Sequence, residues 1–288
     1  MNENLAFAVI GGSGLYHMQG LENTEEHNIE TPFGKPSSPI VTGTLEGKRV
    51  AFLARHGIGH FISPSEINYR ANIYALKSLG AKQIISISAC GSLREDYAPG
   101  HIIIPDQLFD NTRERARSFF EAGLVAHVGV ADPFCDKLSN VLYNAAKASG
   151  ATVHPGGTFI TIEGPRFSTK AESHVYRAWG MSLIGMTACP EAFLAREAEI
   201  CYATMAHVTD YDVWHLGAEP VTVELVIQTL NKNTEHAQES LRILARKMES
   251  ENNCACHNAL AGALITRPEA VNPETRAKLN LLVEKYLS

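Results

Sequence analysis

Two carboxylates one residue apart, Asp210 and Asp212, close the run ICYATMAHVTDYD. Acids withdrawn from water can donate a proton to a departing group or accept hydrogen bonds from it. The residues before them, ICYATMAHV, are almost wholly apolar, the pattern of a strand buried on both faces. In an open α/β sheet the carboxyl ends of such strands open on the ligand crevice. Residues two apart on an extended segment project to one side, so a strand here carries both acids into a site together; a solvated turn is the alternative.

Other strand ends carry groups suited to an anion. Ile10-Gly11-Gly12-Ser13-Gly14-Leu15 is a glycine-rich turn whose backbone N–H groups can cradle one. As a dinucleotide fingerprint it fails: His17 takes the place of the third glycine, and Gly20 with the polar run Glu22–Asn28 interrupts any helix that should follow. Ala54-Arg55-His56-Gly57 ends one strand and Ser88-Ala89-Cys90-Gly91-Ser92 another. Arginine offers a planar fork of donors matched to oxyanions, His56 adds one more, and the hydroxyls of Ser13, Ser88 and Thr187 complete a cradle that needs no metal. The bland alternative is that Arg55 and His56 merely cap a strand with polarity. In Ile162-Glu163-Gly164-Pro165-Arg166-Phe167-Ser168, a strand leads to a helix capped by Ser168 or Thr169, with Glu172 placed for a capping box. Phe167 is either core or an aromatic face for a planar base.

The elements that must position these groups alternate. Strands are expected at Leu5–Ile10, Pro39–Leu45, Arg49–Ala54, Gln83–Ala89, His101–Pro105, Thr158–Ile162, Ser182–Met186 and Cys201–Val208. Helices are expected at Asn68–Leu79, Asp136–Ser149 and Thr169–Trp179, each followed by a glycine in the position of a left-handed cap. Val223, Val226, Ile227 and Leu230 begin an apolar stripe that continues through Ala237, Leu241, Leu244 and Met248, which predicts one long helix over Thr222–Ser250; a last helix spans Pro273–Leu287. The class is therefore α/β: a single domain over residues 1–288 with a central mixed sheet flanked by helices and a helical tail from about residue 251.

Composition narrows the function. The 288 residues are 45% hydrophobic and 19% charged, which excludes a disordered or coiled-coil chain. A net charge of -6 with no Lys/Arg run leaves no electrostatic footprint for nucleic acid, and small-molecule chemistry is favoured. The N-terminus lacks the basic start of a signal peptide and no stretch has the length of a spanning helix, so a cytoplasmic protein without a membrane partner is expected. Cys90, Cys135, Cys189 and Cys201 fit reduced, buried thiols. Cys254-Ala255-Cys256-His257 forms the one local cluster, a weak metal pattern without a second ligand pair at recognisable spacing; no metal is expected, and a redox role or surface cysteines remain as readings.

Taken in order, GGSGL at 11–15, TPFGKPS at 31–37, ARHG at 54–57, NYRANI at 68–73, ACGSLRE at 89–95, PFC at 133–135, TIEGPRFS at 161–168, MT at 186–187, PE at 190–191 and ATMAHVTDYDVW at 203–214 closely resemble the 5′-methylthioadenosine phosphorylases of the trimeric purine nucleoside phosphorylase superfamily. The resemblance runs from about residue 7 to about residue 245. It implies a three-layer α/β/α fold and attack of inorganic phosphate on C1′ of a nucleoside with loss of adenine through N9. It also implies no metal or organic cofactor, and a homotrimer or dimer of trimers. Carried over residue by residue, Ser13, Arg55, His56, Ser88 and Thr187 with the backbone N–H of Ala89 hold phosphate. Met186 lies under the ribose, Phe167 beside the base, and Asp210 and Asp212 at N7 and the exocyclic amino group, with Asp210 the better candidate for the acid.

For that role the pKa of Asp210 must be raised, which burial and a like-charged neighbour favour. Relatives acting on 6-oxopurines generally carry a glutamate where Ser168 stands and an asparagine where Asp210 stands, so the resemblance implies preference for 6-aminopurines. Val223, Val226 and Ile227 would form an apolar wall suited to a methylthio group, and His127 would reach a neighbouring subunit's site. Tails with a Cys-x-Cys pair resemble those of members in which disulfides occur, and a Cys135–Cys201 pairing is left open because it depends on a Cα separation. A 6-oxopurine, broad-specificity or methylthioinosine phosphorylase, and a nucleoside-binding protein without catalysis, are the alternatives.

Overall fold

The computed structural model describes residues 5–11, 18–215, 217, 222–248 and 253–287. Among them eleven strands form one sheet: β1 (Phe7–Gly11), β2 (Glu22–His27), β3 (Ile40–Leu45), β4 (Lys48–Ala54), β5 (Gln83–Ser92), β6 (Ile102–Ile104), β7 (Gln107–Asn111), β8 (Val153–Pro155), β9 (Thr158–Ile162), β10 (Leu183–Gly185) and β11 (Cys201–Asp210). The helices are α1 (Tyr69–Ser78), α2 (Asp136–Ala148), α3 (Lys170–Ala178), α4 (Ala188–Glu197), α5 (Val223–Lys247) and α6 (Pro273–Leu287). The last two residues of the expected long helix, Glu249 and Ser250, lie outside the described residues.

The sheet is mixed. One path runs β2-β3-β4-β1-β5-β10-β9-β7, and β11 pairs β5 on its other edge and leads on to β6 and β8. β1, β4, β5 and β11 are mutually parallel where they pair, whereas β10 joins β5 antiparallel. The two central strands are buried on both faces, as their unbroken apolar runs require. Ile84 and Tyr202 face a core shared with α1, α4 and α6 (Ile73, Leu76, Leu194, Leu282). Ile85, Ile87, Ala203 and Met205 face a second core shared with α2 and α5 (Leu138, Leu142, Leu241, Leu244). The result is one domain of helix, sheet and helix layers.

Local signals explain the boundaries. Gly80, Gly150 and Gly180 follow α1, α2 and α3 with φ of 85°, 86° and 80°, the left-handed turn that an L side chain resists. Thr169, not Ser168, caps α3: its hydroxyl accepts from Glu172 N while Glu172 reaches back to Thr169 N, a complete capping box. Four elements gave no periodic signal. β2 is a charged, exposed edge strand with the sequence ENTEEH, a composition that suits an edge and hides the strand. β7 and the three-residue β8 also lie at the sheet's margins. α4 is buried on nearly every side, so it has no amphipathic stripe to read. Among the described residues no helix is long and apolar enough to cross a membrane. All six cysteines are free thiols and buried.

Candidate active site

The site begins as a gap in the sheet. On one edge β5 pairs with β1 through Ile84–Ser86 and with β10 only at Gly91 and Ser92, so residues 87–90 have no strand partner there among the described residues. Arg55, the first residue after β4, fills the floor of the gap. Its Nη1 donates to Ile87 O (3.1 Å), and its Nη2 to Ile10 O (3.2 Å) and Ser86 Oγ (2.7 Å). Nε and Nη2 each donate to the Glu191 carboxylate at 2.8 Å. Arg55 is 1% exposed and Glu191 0%, a fully withdrawn ion pair that Tyr202 completes by donating its hydroxyl to Glu191 Oε1 at 2.8 Å. Arg55 thus lines the cavity as a fixed positive floor, most of its donors already engaged, rather than as the open fork its residue type suggests.

Above this floor lies a cavity of about 710 Å³, ample for a nucleoside and an anion. Arg55, His56, Ser88, Ala89, Phe167, Ser168, Met186, Thr187, Asp210, Asp212, Val223, Val226 and Ile227 all line it. Ser88 Oγ and Thr187 Oγ1, 99 residues apart in sequence, stand 3.1 Å from each other. His56 Nδ1 lies 2.9 Å from Ile62 O; a carbonyl only accepts, so Nδ1 carries the hydrogen and Nε2 holds a lone pair. Burial, with Arg55 next to it, pushes the His56 pKa down to about 4, so the ring is neutral at physiological pH. Ser88 and Gly91 are three residues apart on β5, which separates the hydroxyl pair from the acid pair by about 10 Å.

The acids meet the cavity by a route the alternation argument does not describe. The β5–β11 register slips between Val208 and Asp210, which pairs with Gly91. The strand then stops, and Asp212 sits in the following turn at φ 50°. A bulge and a left-handed residue, not strand periodicity, bring both carboxylates to one place. Asp210 Oδ2 accepts from Thr209 Oγ1 (2.6 Å) and Oδ1 from Asp212 N (2.8 Å). Asp212 Oδ2 is buried with no hydrogen-bond partner. Burial raises the pKa of both acids; in Asp212 the nearby Ser173 hydroxyl opposes it and the charge of Asp210 adds to it, whereas Asp210 owes its shift to burial, opposed by the bonds from Thr209 and Asp212 N, and not to its neighbour's charge.

Phe167 is 42% exposed and reaches the cavity from the turn before α3, so it is not core. Ser168 Oγ is buried without a partner. Val223 and Ile227, 59% and 51% exposed, form an apolar rim. His127 lies elsewhere: it is exposed, does not line this cavity, and its N–H donates to Ala263 O at 2.9 Å. Ser13 lies outside the described residues.

Sequence reasoning missed the groups that hold the walls. Arg115, in the charged stretch RERAR, is buried. Its Nη1 donates to Met186 O and Cys189 O (both 2.7 Å) and to Tyr69 Oη (3.1 Å), and its Nη2 donates to Glu163 O (2.7 Å). It ties the segment before Phe167 to the segment that bears Thr187. Glu163 in turn accepts from Ser65 Oγ and from Arg113 N. Nothing in the spacing marks Arg115; Glu163 and Glu191 stand inside TIEGPRFS and PE, where a carboxylate in an apolar context is the available signal.

The sequence model of the phosphorylase superfamily matches residues 6–246. The S-methyl-5′-thioadenosine phosphorylase of Geobacter sulfurreducens is 52% identical over 280 residues, 97% of this chain and 98% of the relative. That of Chloroflexus aurantiacus is 54% identical over 281 residues, again 97% and 98%. Among solved structures, a methylthioadenosine phosphorylase from an antarctic soil metagenomic library superposes with a TM-score of 0.93 at 48% identity, covering 97% of this chain and 99% of the other. A variant of the Schistosoma mansoni adenosine/methylthioadenosine phosphorylase, in complex with methylthioadenosine, gives a TM-score of 0.83 at 33% identity with 98% of each chain covered.

Proposed function

This chain belongs to the phosphorylase superfamily and, within it, to the S-methyl-5′-thioadenosine phosphorylases, and we propose that it uses inorganic phosphate to cleave S-methyl-5′-thioadenosine into adenine and 5-methylthioribose 1-phosphate. The observation that carries the reading is the pairing, in one cavity, of a hydroxyl pair over a buried cation with two buried carboxylates that β11 and its following turn place about 10 Å away, opposite Gly91 of β5. That spacing leaves room for a sugar between an oxyanion and a purine.

At the anion end, Ser88 and Thr187 hydroxyls, the Ala89 N–H, Ser13 and the remaining Nη1 hydrogen of Arg55 hold phosphate. Arg55 is kept from titrating or swinging away by Glu191. Neutral His56 presents Nε2 as an acceptor for a phosphate O–H, which fixes the nucleophile's protonation and orientation. Phosphate is a co-substrate, and this donor set holds it with no cofactor. The Met186 side chain packs against Gly164, where a Cβ would lie 2.6 Å from Sδ, and so forms a fixed apolar bed for the ribose between the two ends.

At the base end, Phe167 stacks on the purine. Adenine is a poor anion, so N7 must gain a proton as the C1′–N9 bond breaks. Burial raises the pKa of Asp210 and favours the protonated form that can supply it. The unpartnered Asp212 Oδ2 accepts from the exocyclic amino group, and the unpartnered Ser168 Oγ donates to a ring nitrogen. A 6-oxopurine would face Asp212 with an acceptor, a mispairing that costs about 1–3 kcal/mol. The apolar rim of Val223, Val226 and Ile227 favours methylthio over hydroxyl at 5′ by a similar, modest amount. Exposed apolar groups at this mouth, and the exposed position of His127 outside the lining of its own cavity, support assembly as a homotrimer or dimer of trimers in which His127 serves a neighbour. The products fit cytoplasmic salvage of purine and of methionine sulfur.

The test is base release from methylthioadenosine, adenosine, methylthioinosine and inosine, with and without phosphate. The expected result is phosphate-dependent cleavage with the greatest kcat/KM for methylthioadenosine and a lower value for adenosine. Greatest kcat/KM for inosine overturns the specificity, and cleavage of none of the four overturns the activity.

A further inference from the structure

At the opposite end of β11 from the acids, four cysteines from three separate stretches of chain converge. Cys201 opens β11, Cys135 precedes α2, and Cys254 and Cys256 come from the tail beyond α5. Their four Sγ atoms all lie within 4.8 Å of one another, and all four residues are buried. Cys135 Sγ and Cys254 Sγ are 3.6 Å apart. A tetrahedral ion with sulfur ligands at about 2.3 Å places them about 3.8 Å from each other, which is the scale found. In sequence the CACH run lacked a second ligand pair; folding supplies it from positions 135 and 201.

The surroundings suit thiolates. Cys135 is the N-cap of α2, the end of the helix at which the macrodipole favours a thiolate. His257 Nε2 lies 3.2 Å from Lys82 O and 3.6 Å from Cys201 Sγ. A carbonyl only accepts, so this nitrogen carries hydrogen and donates; His257 is a partner to the sulfur and not a fifth ligand. Lys137 and Lys285 donate to the carbonyls of Asn253 and His257 at 2.9 Å each, which places two ammonium groups on the segment that carries the pair. Lys285 is itself paired with Glu199 at 2.8 Å, which leaves Lys137 as the ammonium of the two that offsets the net negative charge of a divalent ion bound by four thiolates.

We propose that Cys135, Cys201, Cys254 and Cys256 bind one Zn²⁺ as a closed, structural four-sulfur site that clamps the tail onto α2 and β11. Metal binding deprotonates the thiols and releases those protons to solvent; no electron is transferred. Cys201 and Asp210 stand at opposite ends of the ten-residue β11, about 30 Å of extended chain apart, so the ion takes no part in the chemistry of the cavity. Its effect is on cohesion of the fold, because it joins three chain segments that meet nowhere else in sequence.

The experiment uses the full chain, purified under reducing conditions from zinc-supplemented cells and analysed by elemental mass spectrometry with thiol counting in denaturant. About one zinc per chain is expected, and because all six cysteines are buried, counting in denaturant with a chelator should return all six as reduced thiols. Refolding with Co²⁺ should give the near-ultraviolet and red absorption of a tetrahedral cobalt thiolate. Cys189→Ala, outside the cluster, should keep the metal, and the double variant Cys254→Ser/Cys256→Ser should fall below about one tenth of it. If the double variant does not fold, the metal content and cobalt spectrum of the unaltered chain still decide. Fewer than about 0.1 metal ions per chain overturns the proposal, whether the thiols are then found paired in disulfides or all free.

Discussion

Asp210 rests directly on Gly91: the two residues pair across β5 and β11, and a Cβ at position 91 would lie 2.9 Å from Asp210 Oδ1 and 3.4 Å from Asp212 Cβ. The bare backbone at Gly91 is what lets the acid pair settle into the cavity wall. Gly91→Ala should therefore push the carboxylates out of register and lower kcat by about 10²-fold, the scale of a displaced general acid. Steady-state kinetics with phosphate in excess checks this. An unchanged kcat would show that the acids tolerate displacement and so do not act at a fixed geometry.

Removing the acid while keeping its shape should separate catalysis from anion binding. Asp210→Asn is expected to depress kcat by about 10²–10³-fold and to shift the KM for phosphate by less than about threefold, because the hydroxyl cluster is about 10 Å away. In the unaltered enzyme, kcat should fall as pH rises through the raised pKa of Asp210, since only the protonated form donates. The variant should lack that limb. Equal loss at both ends of the site would count against the assignment.

The Arg55–Glu191 pair is buried beneath the cavity, so breaking it leaves an uncompensated charge. Glu191→Gln should destabilise the fold by about 3–5 kcal/mol and weaken phosphate binding together, as the freed guanidinium loses its anchor. Urea denaturation and phosphate KM measure the two effects. A variant with the stability of the parent would mean that water reaches the pair.

Glu197 gives a pH signature independent of catalysis. It is buried, accepts from Ser118 Oγ at 2.8 Å and Phe119 N at 2.7 Å, and burial pushes its pKa up from 4.5 to about 7. Between those values the folded chain keeps a proton that the unfolded chain has lost. The contribution is fully present below pH 4.5 and is lost as pH rises through 7. Glu197→Gln, which cannot titrate, should gain on the parent by roughly 2–3 kcal/mol between pH 5 and pH 8, read from denaturation midpoints at each pH. A constant difference would place the Glu197 pKa in its ordinary range.

Much of this architecture can be read from residue patterns, for reasons visible in particular places. β5 and β11 announce themselves because strands buried on both faces are continuously apolar, and α1, α2 and α3 end where glycines supply the left-handed turn. The residues that line the cavity were legible because polar groups at the ends of apolar strands have few other places to go. What stayed hidden is what depends on long-range partners. β2 is charged because it is an edge, α4 has no polar face because it has no solvent face, and Arg115 is an ordinary surface arginine until Met186, Cys189 and Glu163 close over it. The register slip after Val208 is likewise set by β5 and not by the residues that slip.

The central claim is that a buried aspartate delivers a proton to N7 of the leaving purine. The most direct measurement replaces that atom: the 7-deaza analogue of methylthioadenosine keeps the base's shape, its amino group and its 5′ substituent but has carbon where the proton must go. It should bind with an affinity within about tenfold of the substrate, by competition, and undergo phosphorolysis at least about 10³-fold more slowly. Phosphate-dependent release of its base at a rate comparable to that of adenine would contradict the account.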